Sequence, residues 1–544
     1  MVEIVSLSVS YSRKKILKDI DLSVKRSERL AIIGESGAGK TTLALSLLGL
    51  CKGNINGKIK IDGIEITSLK EKDLKDLRWR KISIAFQNLD ALNPALRVGE
   101  QIREIILEKS NKSPGEAYLE VINLIRILGL DESYLDRFPS QLSGGEKRKI
   151  IIAMALVNSP DVIVLDEPTS SLDANTRDEI REILRDILQD KTVIINTHDL
   201  KLAYELTNKV AVLYGGRILE YGETKKIIEN PRHPYTRGLL RSSPSLNKGK
   251  DLQGIPGSFE YRENGCPFSN RCVQRIDLCE VVTPKPVESK DRIIACHKGG
   301  IEKVLEVKGL SKSFSNRKIL RHINFSLYSG ESITILGKTG SGKSTIARCI
   351  MGLIEPDDGE VFLFNKKIIR RDLSFYRNIQ MIFQDPFESI NPRFNIYEIV
   401  SEPLFIQRMS DRETCMKLVK DVLKSVQLPY DEEFLKLYPY QLSGGELQRI
   451  AIARAIIVKP KILIADEITA FLDVSIQAKI MRLLLDLQEN LGLSVIFILH
   501  DIELARKISD RILILNDGVL EEYRESEIEG GDTYEYEGTV GRIC

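Results

Sequence analysis

Short apolar segments alternate with polar turns along the whole chain, and the same order of segments occurs twice. Each half begins with a strand-like alternation of apolar and polar residues, and continuous apolar runs follow that have the length of buried strands. Helical segments at Leu43–Leu50 and Ile346–Leu353 follow the first buried strand of each half. The pattern therefore predicts an α/β fold that is built twice. The predicted buried strands are Leu30–Ile33, Val162–Leu165, Thr192–Ile195, Ser332–Leu336, Ile462–Ala465 and Ser494–Leu499.

A glycine-rich loop joins the first buried strand to its helix in both halves. The two loops, Gly34 to Thr41 and Gly337 to Ser344, have the spacing of a Walker A motif and stand 303 residues apart. In such a loop backbone N–H groups surround phosphate oxygens, the lysine reaches the outer phosphates, and the hydroxyl can bind Mg²⁺. The candidate nucleotide-binding residues are Gly34, Ser36, Gly37, Gly39, Lys40, Thr41, Thr42, Gly337, Thr339, Gly340, Gly342, Lys343, Ser344 and Thr345.

Further motifs accompany each loop and repeat in the same order, 297 to 302 residues apart. Asp166 and Asp466 end apolar strands, where a carboxylate beside a phosphate loop can bind Mg²⁺. Glu167 and Glu467 follow them and can polarise an attacking water. The other repeated residues are Gln87 and Gln384, the Leu-Ser-Gly-Gly-Glu motifs with Ser143, Gly144, Gly145, Ser443, Gly444 and Gly445, and the histidines His198 and His500.

Each half resembles the nucleotide-binding domain of an ABC transporter, a superfamily to which the Leu-Ser-Gly-Gly-Glu signature is specific. The resemblance implies two P-loop ATPase domains, each with a mixed β-sheet core and a helical subdomain that carries the signature. It also implies that Gln87 and Gln384 bind the metal or its water, and that His198 and His500 are switch histidines that contact the γ-phosphate during catalysis. Both sites should hydrolyse ATP, since departures such as Arg148 and Ile468 remove no ligand to phosphate or metal.

In this superfamily the signature loop of one domain binds the γ-phosphate of ATP held by the other. Because both domains share one chain here, the resemblance implies an intramolecular head-to-tail sandwich. Lys40 would then face Ser443 and Gly445, and Lys343 would face Ser143 and Gly145.

An aromatic residue precedes the first turn of each half, Tyr11 in one and Phe314 in the other. In the resembled family such a ring stacks on adenine. The alternative is an aromatic side chain that packs on a strand edge, and the sequence does not show which way the ring points.

Composition limits the classes of function. The net charge of +2 gives no global field that would favour nucleic acid. The longest apolar run, Ile150–Val157, is shorter than the roughly 18–20 residues of a membrane span. We therefore expect a cytoplasmic protein that serves a membrane through separate partners. The domains predicted are 1–222 and 301–520 as ATPases, 223–300 as an insert, and 521–544 as an acidic tail.

The segment 223–300 differs from both ATPase halves and holds seven of the 19 prolines. Its Pro231-Arg-His-Pro-Tyr-Thr-Arg-Gly-Leu-Leu240 stretch resembles the extension of ATP-binding subunits in oligopeptide and dipeptide importers. Four of the eight cysteines also lie here, at Cys266, Cys272, Cys279 and Cys296. Four thiols in a loop-rich cytoplasmic segment favour metal over disulfides, and their separations are wide for zinc. The resemblance implies a 4Fe–4S cluster, while zinc or no metal remain as alternatives.

The resulting hypothesis is an ATPase subunit of a peptide importer, with both ATPase domains fused. It implies two integral membrane permease subunits, an extracytoplasmic solute-binding protein, a place on the inner face of the cell membrane, and no nucleic acid. Relatives that carry oligosaccharides or nickel would have the same ATPase, so the cargo stays open. A tandem ATPase that acts on ribosomes or DNA is the second hypothesis, against which the insert argues.

Overall fold

The computed structural model describes residues 1–12, 14–110, 112–243, 254–289, 291–315, 317–409, 412–470 and 472–523. They fall into two compact units, one that ends at Ile301 and one that begins at Glu302. No helix among these residues is both long enough and apolar enough to cross a membrane.

The first unit contains two sheets and ten helices in its described residues. Its strands are β1 Val2–Tyr11, β2 Lys14–Val24, β3 Arg29–Ile33, β4 Asn54–Ile61, β5 Ile64–Glu65, β6 Ile82–Ala85, β7 Val162–Asp166, β8 Thr192–Thr197, β9 Lys209–Tyr214, β10 Arg217–Glu223, β11 Val287–Ser289 and β12 Arg292–Ile294. Its helices are α1 Lys40–Leu47, α2 Glu71–Leu77, α3 Val98–Lys109, α4 Pro114–Ile127, α5 Gly144–Leu156, α6 Ala174–Ile187, α7 Leu200–Leu206, α8 Thr224–Glu229, α9 Pro234–Arg241 and α10 Leu278–Val281.

The second unit repeats this plan. Its strands are β13 Lys303–Phe314, β14 Arg317–Tyr328, β15 Ser332–Leu336, β16 Asp358–Leu363, β17 Lys366–Lys367, β18 Ile379–Ile382, β19 Ile462–Asp466, β20 Ser494–Leu499, β21 Arg511–Asn516 and β22 Val519–Glu522. Its helices are α11 Lys343–Met351, α12 Leu373–Asn378, α13 Pro386–Ser389, α14 Ile396–Ile406, α15 Arg412–Ser425, α16 Glu432–Leu435, α17 Gly444–Ile456, α18 Val474–Leu491 and α19 Ile502–Ile508.

A parallel sheet forms the centre of each unit. In the first unit β6, β7, β8, β3 and β9 are neighbours in that order and run parallel, and β18, β19, β20, β15 and β21 do so in the second. Both faces of these strands are covered, which explains their continuous apolar runs. In the first unit an antiparallel sheet, in the order β2-β1-β4-β5, packs through Leu7 and Ile59 on the face that carries Val164. Helices α3 to α5 pack on the opposite face, which carries Ile163.

The topology places the repeated motifs at one edge of each parallel sheet. Strands β7, β8 and β3 are adjacent, with Asp166 opposite Asn196 and Ile33 opposite Thr197 in the register. The loops that leave their carboxyl ends therefore meet, as expected for a ligand site in an open α/β sheet. The predicted fold class is confirmed, because two mixed-sheet α/β units carry the two sets of motifs.

Two predicted boundaries shift in the structure. The helices after the phosphate loops begin at Lys40 and Lys343, three residues earlier than the apolar pattern suggested, because Gly39 and Gly342 adopt positive φ angles of 110° and 106° and turn the chain directly into a helix. At the other end of the second unit, β22 runs to Glu522, beyond the predicted end at 520. The acidic tail beyond Tyr523 lies outside the described residues.

The segment 223–300 is part of the first unit and does not form a separate module. Its strands β12 and β11 extend the central sheet beyond β10. Its side chains Tyr235, Cys266 and Phe268 share a buried cluster with Tyr214 of β9. We call residues 223–300 the extension from here on.

Candidate functional site

The first phosphate loop holds its lysine in place. Lys40 is buried, and its Nζ donates to the backbone oxygens of Gly34 at 2.7 Å and Glu35 at 3.4 Å. The same Nζ lies 3.6 Å from Glu167 Oε1. Ser36 and Gly37 are exposed at the turn of the loop. The loop thus combines a buried cation with an accessible glycine-rich rim, which is the arrangement that binds a phosphate group.

The second loop repeats these contacts. Lys343 Nζ donates to the backbone oxygens of Gly337 at 2.8 Å and Lys338 at 3.2 Å, and it lies 3.3 Å from Glu467 Oε1. Thr339 and Gly340 are exposed, as their counterparts are in the first loop.

A hydroxyl and a buried aspartate meet beside each loop, where Mg²⁺ was predicted. Ser344 Oγ donates to Asp466 Oδ1 at 2.9 Å, and the Thr41 hydroxyl hydrogen-bonds Asp166 in the same way. Burial raises the pKa of both aspartates, and these hydrogen bonds act against the shift. Hydroxyl and carboxylate oxygens are the donors that Mg²⁺ prefers, so the residues present fit this ion.

The first site has a further polar residue to which the sequence motifs give no role. Asn196 is fully buried at the end of β8, and its Nδ2 donates to Lys40 O and to Asp166 Oδ1, both at 2.9 Å. Ile498 of β20 stands at the corresponding place in the second site, opposite Asp466 in the register. In the sequence, the feature that could have indicated this residue is a polar side chain at the end of an apolar strand, which the first half has and the second half lacks.

The two glutamates predicted to be catalytic lie in strained backbone, with φ angles of 51° for Glu167 and 45° for Glu467. In the first half Glu167 Oε2 lies 2.7 Å from His198 Nδ1 and accepts from His198 N at 3.3 Å. Burial opposes ionisation of Glu167, but the contacts with His198 and Lys40 outweigh it and hold the pKa of Glu167 below its usual value. The hydrogen bond to Glu167 raises the pKa of His198 in turn. A charged glutamate of this kind can polarise a water.

The second half holds its glutamate through a different residue. Gln384 Nε2 donates to Glu467 Oε2 at 3.3 Å, while His500 is exposed. The structure therefore brings Lys343, Gln384 and Glu467 together, as predicted. Gln87, the first-half counterpart of Gln384, is exposed, and its backbone oxygen accepts from Arg148 at 2.8 Å.

The signature loops start helices in both units. Ser143 caps α5 and Ser443 caps α17, each in a reciprocal arrangement with the glutamate three residues later. Both serines and the glycines Gly144 and Gly444 are exposed, so the N-terminal turns are open to an anion. The aromatic residues Tyr11 and Phe314 are partly exposed, at 38% and 45%. Their stacking on adenine stays a prediction.

The four cysteines of the extension line one small enclosed cavity together with His233 and Phe268. Burial raises the pKa of Cys266 to about 11 and that of Cys272 to about 12. No group of three or more His, Cys, Asp or Glu side chains in the described residues stands in an arrangement that would hold a metal ion. The structure thus brings the four cysteines to one cavity, whereas the predicted metal centre has no preformed coordination geometry among the described residues to support it.

Comparison with known proteins identifies the family. A family profile described as "ABC transporter" matches residues 17–170 and 320–470, and one described as "Oligopeptide/dipeptide transporter, C-terminal region" matches residues 219–279. The chain belongs to the ABC transporter family, and it is an ATPase of that type.

Curated relatives share this organisation over nearly the whole chain. The oligopeptide transport ATP-binding protein OppD of Mycobacterium tuberculosis is 32% identical over 98% of this chain and 97% of its own length. The glutathione import ATP-binding protein GsiA of Escherichia coli O157:H7 is 33% identical over 96% of this chain and 85% of its own. Among solved structures, the dimeric ADP- and phosphate-bound cassette MJ0796 matches 41% of this chain and 99% of its own, with 28% identity and a TM-score of 0.39.

Proposed function

We propose that this chain is the ATP-hydrolysing subunit that powers import of peptide-type solutes through partner membrane subunits. The observation that carries the proposal is the joint presence of two matches to the ABC transporter profile and an extension of the oligopeptide/dipeptide type in one chain. Relatives with the same organisation are named for oligopeptide transport and glutathione import. The partners would be two integral permease subunits and an extracytoplasmic solute-binding protein, with the chain peripheral on the inner face of the cell membrane.

In this function the residues of each site have separate roles in ATP hydrolysis. Lys40 and Lys343 neutralise phosphate charge, and Glu167 and Glu467 orient and polarise the attacking water. Mg²⁺, held by Thr41 and Asp166 or by Ser344 and Asp466, would neutralise charge on the phosphate oxygens. Gln87 and Gln384 would sense the membrane partner and so link hydrolysis to the permease.

The sandwich of the two units is part of the proposal. The exposed signature turns support it, because each offers free N–H groups to a phosphate that its own unit does not hold. Ser143→Arg should block the site built on Lys343 and spare nucleotide binding to Lys40. Photolabelling with 8-azido-ATP and mapping of the labelled peptides would separate the two sites. Loss of labelling at Lys40 alone would contradict the head-to-tail arrangement.

We also propose that Cys266, Cys272, Cys279 and Cys296 bind an iron–sulfur cluster. Support comes from four thiols around one cavity, in a segment whose buried side chains belong to a cluster shared with the rest of the first unit. Binding would have to draw the thiols together and deprotonate them, which would order the extension. Anaerobically purified protein should absorb at about 400 nm and contain iron and sulfide in stoichiometric amounts. Colourless protein with zinc would support the alternative metal, and protein with neither would make the cysteines packing residues.

Copurification and transport test the main function. Affinity-tagged chain, extracted from its native cells in detergent, should carry two integral membrane proteins. Proteoliposomes that contain this complex and its solute-binding protein should take up peptides when ATP is supplied, and the Glu167→Gln/Glu467→Gln form is the control. Uptake of oligosaccharide or nickel alone would replace the peptide by another cargo. Recovery with ribosomes or DNA would overturn the importer function.

A further inference from the structure

A buried arginine of the extension forms an ion pair with a residue of the first phosphate loop. Arg271 directly precedes Cys272, and its guanidinium donates to Glu35 Oε2 at 2.7 Å and to Glu35 Oε1 at 3.2 Å. The Arg271 side chain is 6% exposed. Two backbone oxygens of the extension, those of Ile255 and Pro256, accept from the same guanidinium and fix its position. This is a two-pronged ion pair between a buried guanidinium and a carboxylate that is 33% exposed, and its geometry is directional.

A second residue of the extension holds the backbone of Glu35. Tyr235 is fully buried on α9, and its hydroxyl accepts from Glu35 N at 2.8 Å. The start of α9 is fixed by His233, whose Nδ1 accepts from Tyr235 N at 3.1 Å. Burial lowers the pKa of His233 to about 3, so the ring stays neutral and able to accept. Both the side chain and the N–H of Glu35 are thus bound by the extension.

Glu35 is the second residue of the phosphate loop, and its backbone oxygen is one of the acceptors for Lys40 Nζ. Contacts that hold Glu35 in place therefore also hold one of the backbone oxygens that bind the Lys40 side chain. The guanidinium also neutralises a carboxylate that would otherwise lie beside the anionic phosphates. Within the part of the chain that the structure describes, the second loop shows no such attachment, and Lys338, at the corresponding position, is exposed.

We propose that Arg271 and Tyr235 are positioning residues for the first phosphate loop, through which the folded extension sets the ATP affinity of the first site and not of the second. The proposal rests on the nucleotide-binding role given to both loops. It does not require a metal, since the contacts come from an arginine and a tyrosine. Any change that loosens the cysteine-lined cavity next to Arg271 would then act on one ATP site only.

The test measures affinity at each loop separately, by titration of the full chain with 8-azido-ATP and quantification of the labelled peptides. Arg271→Gln should raise the half-saturating concentration at the first loop about fivefold and leave the second loop unchanged. Turnover at saturating ATP should stay unchanged, because Arg271 does not touch the reacting atoms. Arg275→Gln is the matched control, since it removes an exposed arginine of the extension that forms an ion pair with Glu280, at 3.6 Å, away from the phosphate loop.

Two further variants keep the result interpretable. In a Glu35→Gln background, Arg271→Gln should have no additional effect, because the ion pair is already lost. Tyr235→Phe, which removes only the hydroxyl, should weaken the first loop by a smaller factor. Equal losses at both loops, or an Arg271→Gln effect that persists in the Glu35→Gln background, would overturn the inference. Failure of the wild-type loops to label would instead overturn the ATP-binding role itself.

Discussion

In the first half the catalytic Glu167 is bound by His198, whereas in the second half Glu467 is bound by Gln384. The two units have the same sheet order around the site and the same motif residues, so the difference arises from side-chain contacts alone. The lysine is also closer to the glutamate in the second site, at 3.3 Å against 3.6 Å. The duplicated motifs therefore determine which side chains lie at each site. They do not determine which of those side chains contacts the glutamate.

The surroundings of the two loops differ more than the loops do. The first is attached to the extension through Glu35, and the second presents Lys338 to solvent. Asn196 donates to the backbone oxygen of Lys40, at the start of α1, and to Asp166 in the first site, and Ile498 cannot do so in the second. Two sites that carry the same motifs can therefore be held in place by contacts with different parts of the chain.

The largest effect is expected in a test of whether both glutamates act in catalysis. Glu167→Gln and Glu467→Gln should each lower ATP turnover by about 10²–10³-fold, because the amide cannot polarise water as a carboxylate does. Each variant should also retain ATP after rapid gel filtration, since binding residues are intact. Steady-state hydrolysis and the retained nucleotide would be measured together. Wild-type turnover in one variant would show that this site is degenerate and that the comparison is between an active site and an inactive one.

The next test concerns the attachment of the extension to the first unit. Glu220 is fully buried and accepts from Arg292 Nη1 at 3.1 Å and from the backbone N–H groups of Arg232 and His233 at 3.0 Å each. Arg292→Gln leaves this carboxylate without its countercharge, which should destabilise the first unit by about 3 kcal/mol.

Thermal unfolding followed by calorimetry should show the first unit unfolding at a lower temperature while the second is unchanged, provided the units unfold as separate transitions. Arg275→Gln, an exposed change in the same segment, should leave both transitions in place. Partial recovery in Arg292→Gln/Glu220→Gln would identify the uncompensated charge as the cause. An unshifted first transition would show that the extension adds no stability through this pair.

The sequence predicted the fold well because the apolar runs of both sheets are continuous and the phosphate loops have fixed spacing. It also predicted which residues would lie near one another at the edge of each sheet, because Lys40 belongs to a loop of fixed spacing and Glu167 follows the end of a strand. The contact between Arg271 and Glu35 joins residues 236 positions apart and has no periodicity, so no local pattern could reveal it. The choice between His198 and Gln384 as partner of the glutamate depends on side-chain rotamers, on which motif spacing has no bearing.

A smaller effect is expected when the first site is made more like the second. Asn196→Ile removes two hydrogen bonds at 2.9 Å, one of them to Asp166. The pKa of Asp166, which burial already raises, should rise further, so its charged form is harder to maintain. The Mg²⁺ concentration for half-maximal photolabelling of the first loop should increase about tenfold.

This increase should be greater at pH 6 than at pH 8, because protonation of Asp166 competes with the metal. The second loop serves as an internal control in the same titration, and Ile498→Val as the matched variant. An Mg²⁺ requirement that does not depend on pH would indicate that Asn196 acts on the loop backbone through Lys40 and not on the carboxylate.

The smallest effect tests the ion pair that distinguishes the first glutamate from the second. Contact with Glu167 raises the pKa of His198 above the usual value of 6.5, while Glu167 keeps a lowered pKa. Because the raised pKa belongs to the folded state, the pair contributes its stability fully below about pH 6.5 and loses it as the pH rises through the folded value. The effect is small, since the His198 side chain is 64% exposed.

Histidine-selective ¹³C labelling gives a direct measurement, as the chain has only 5 histidines. The His198 resonance should titrate above pH 6.5, and its midpoint should fall in Glu167→Gln, where the countercharge is absent. His233, whose pKa burial lowers to about 3, should not titrate between pH 5 and 9 and so provides an internal reference. If the His198 midpoint is the same in wild type and Glu167→Gln, the histidine does not pair with the glutamate in solution. The asymmetry between the sites would then rest on the contact of Gln384 with Glu467, on Asn196 and on the attachment of Glu35.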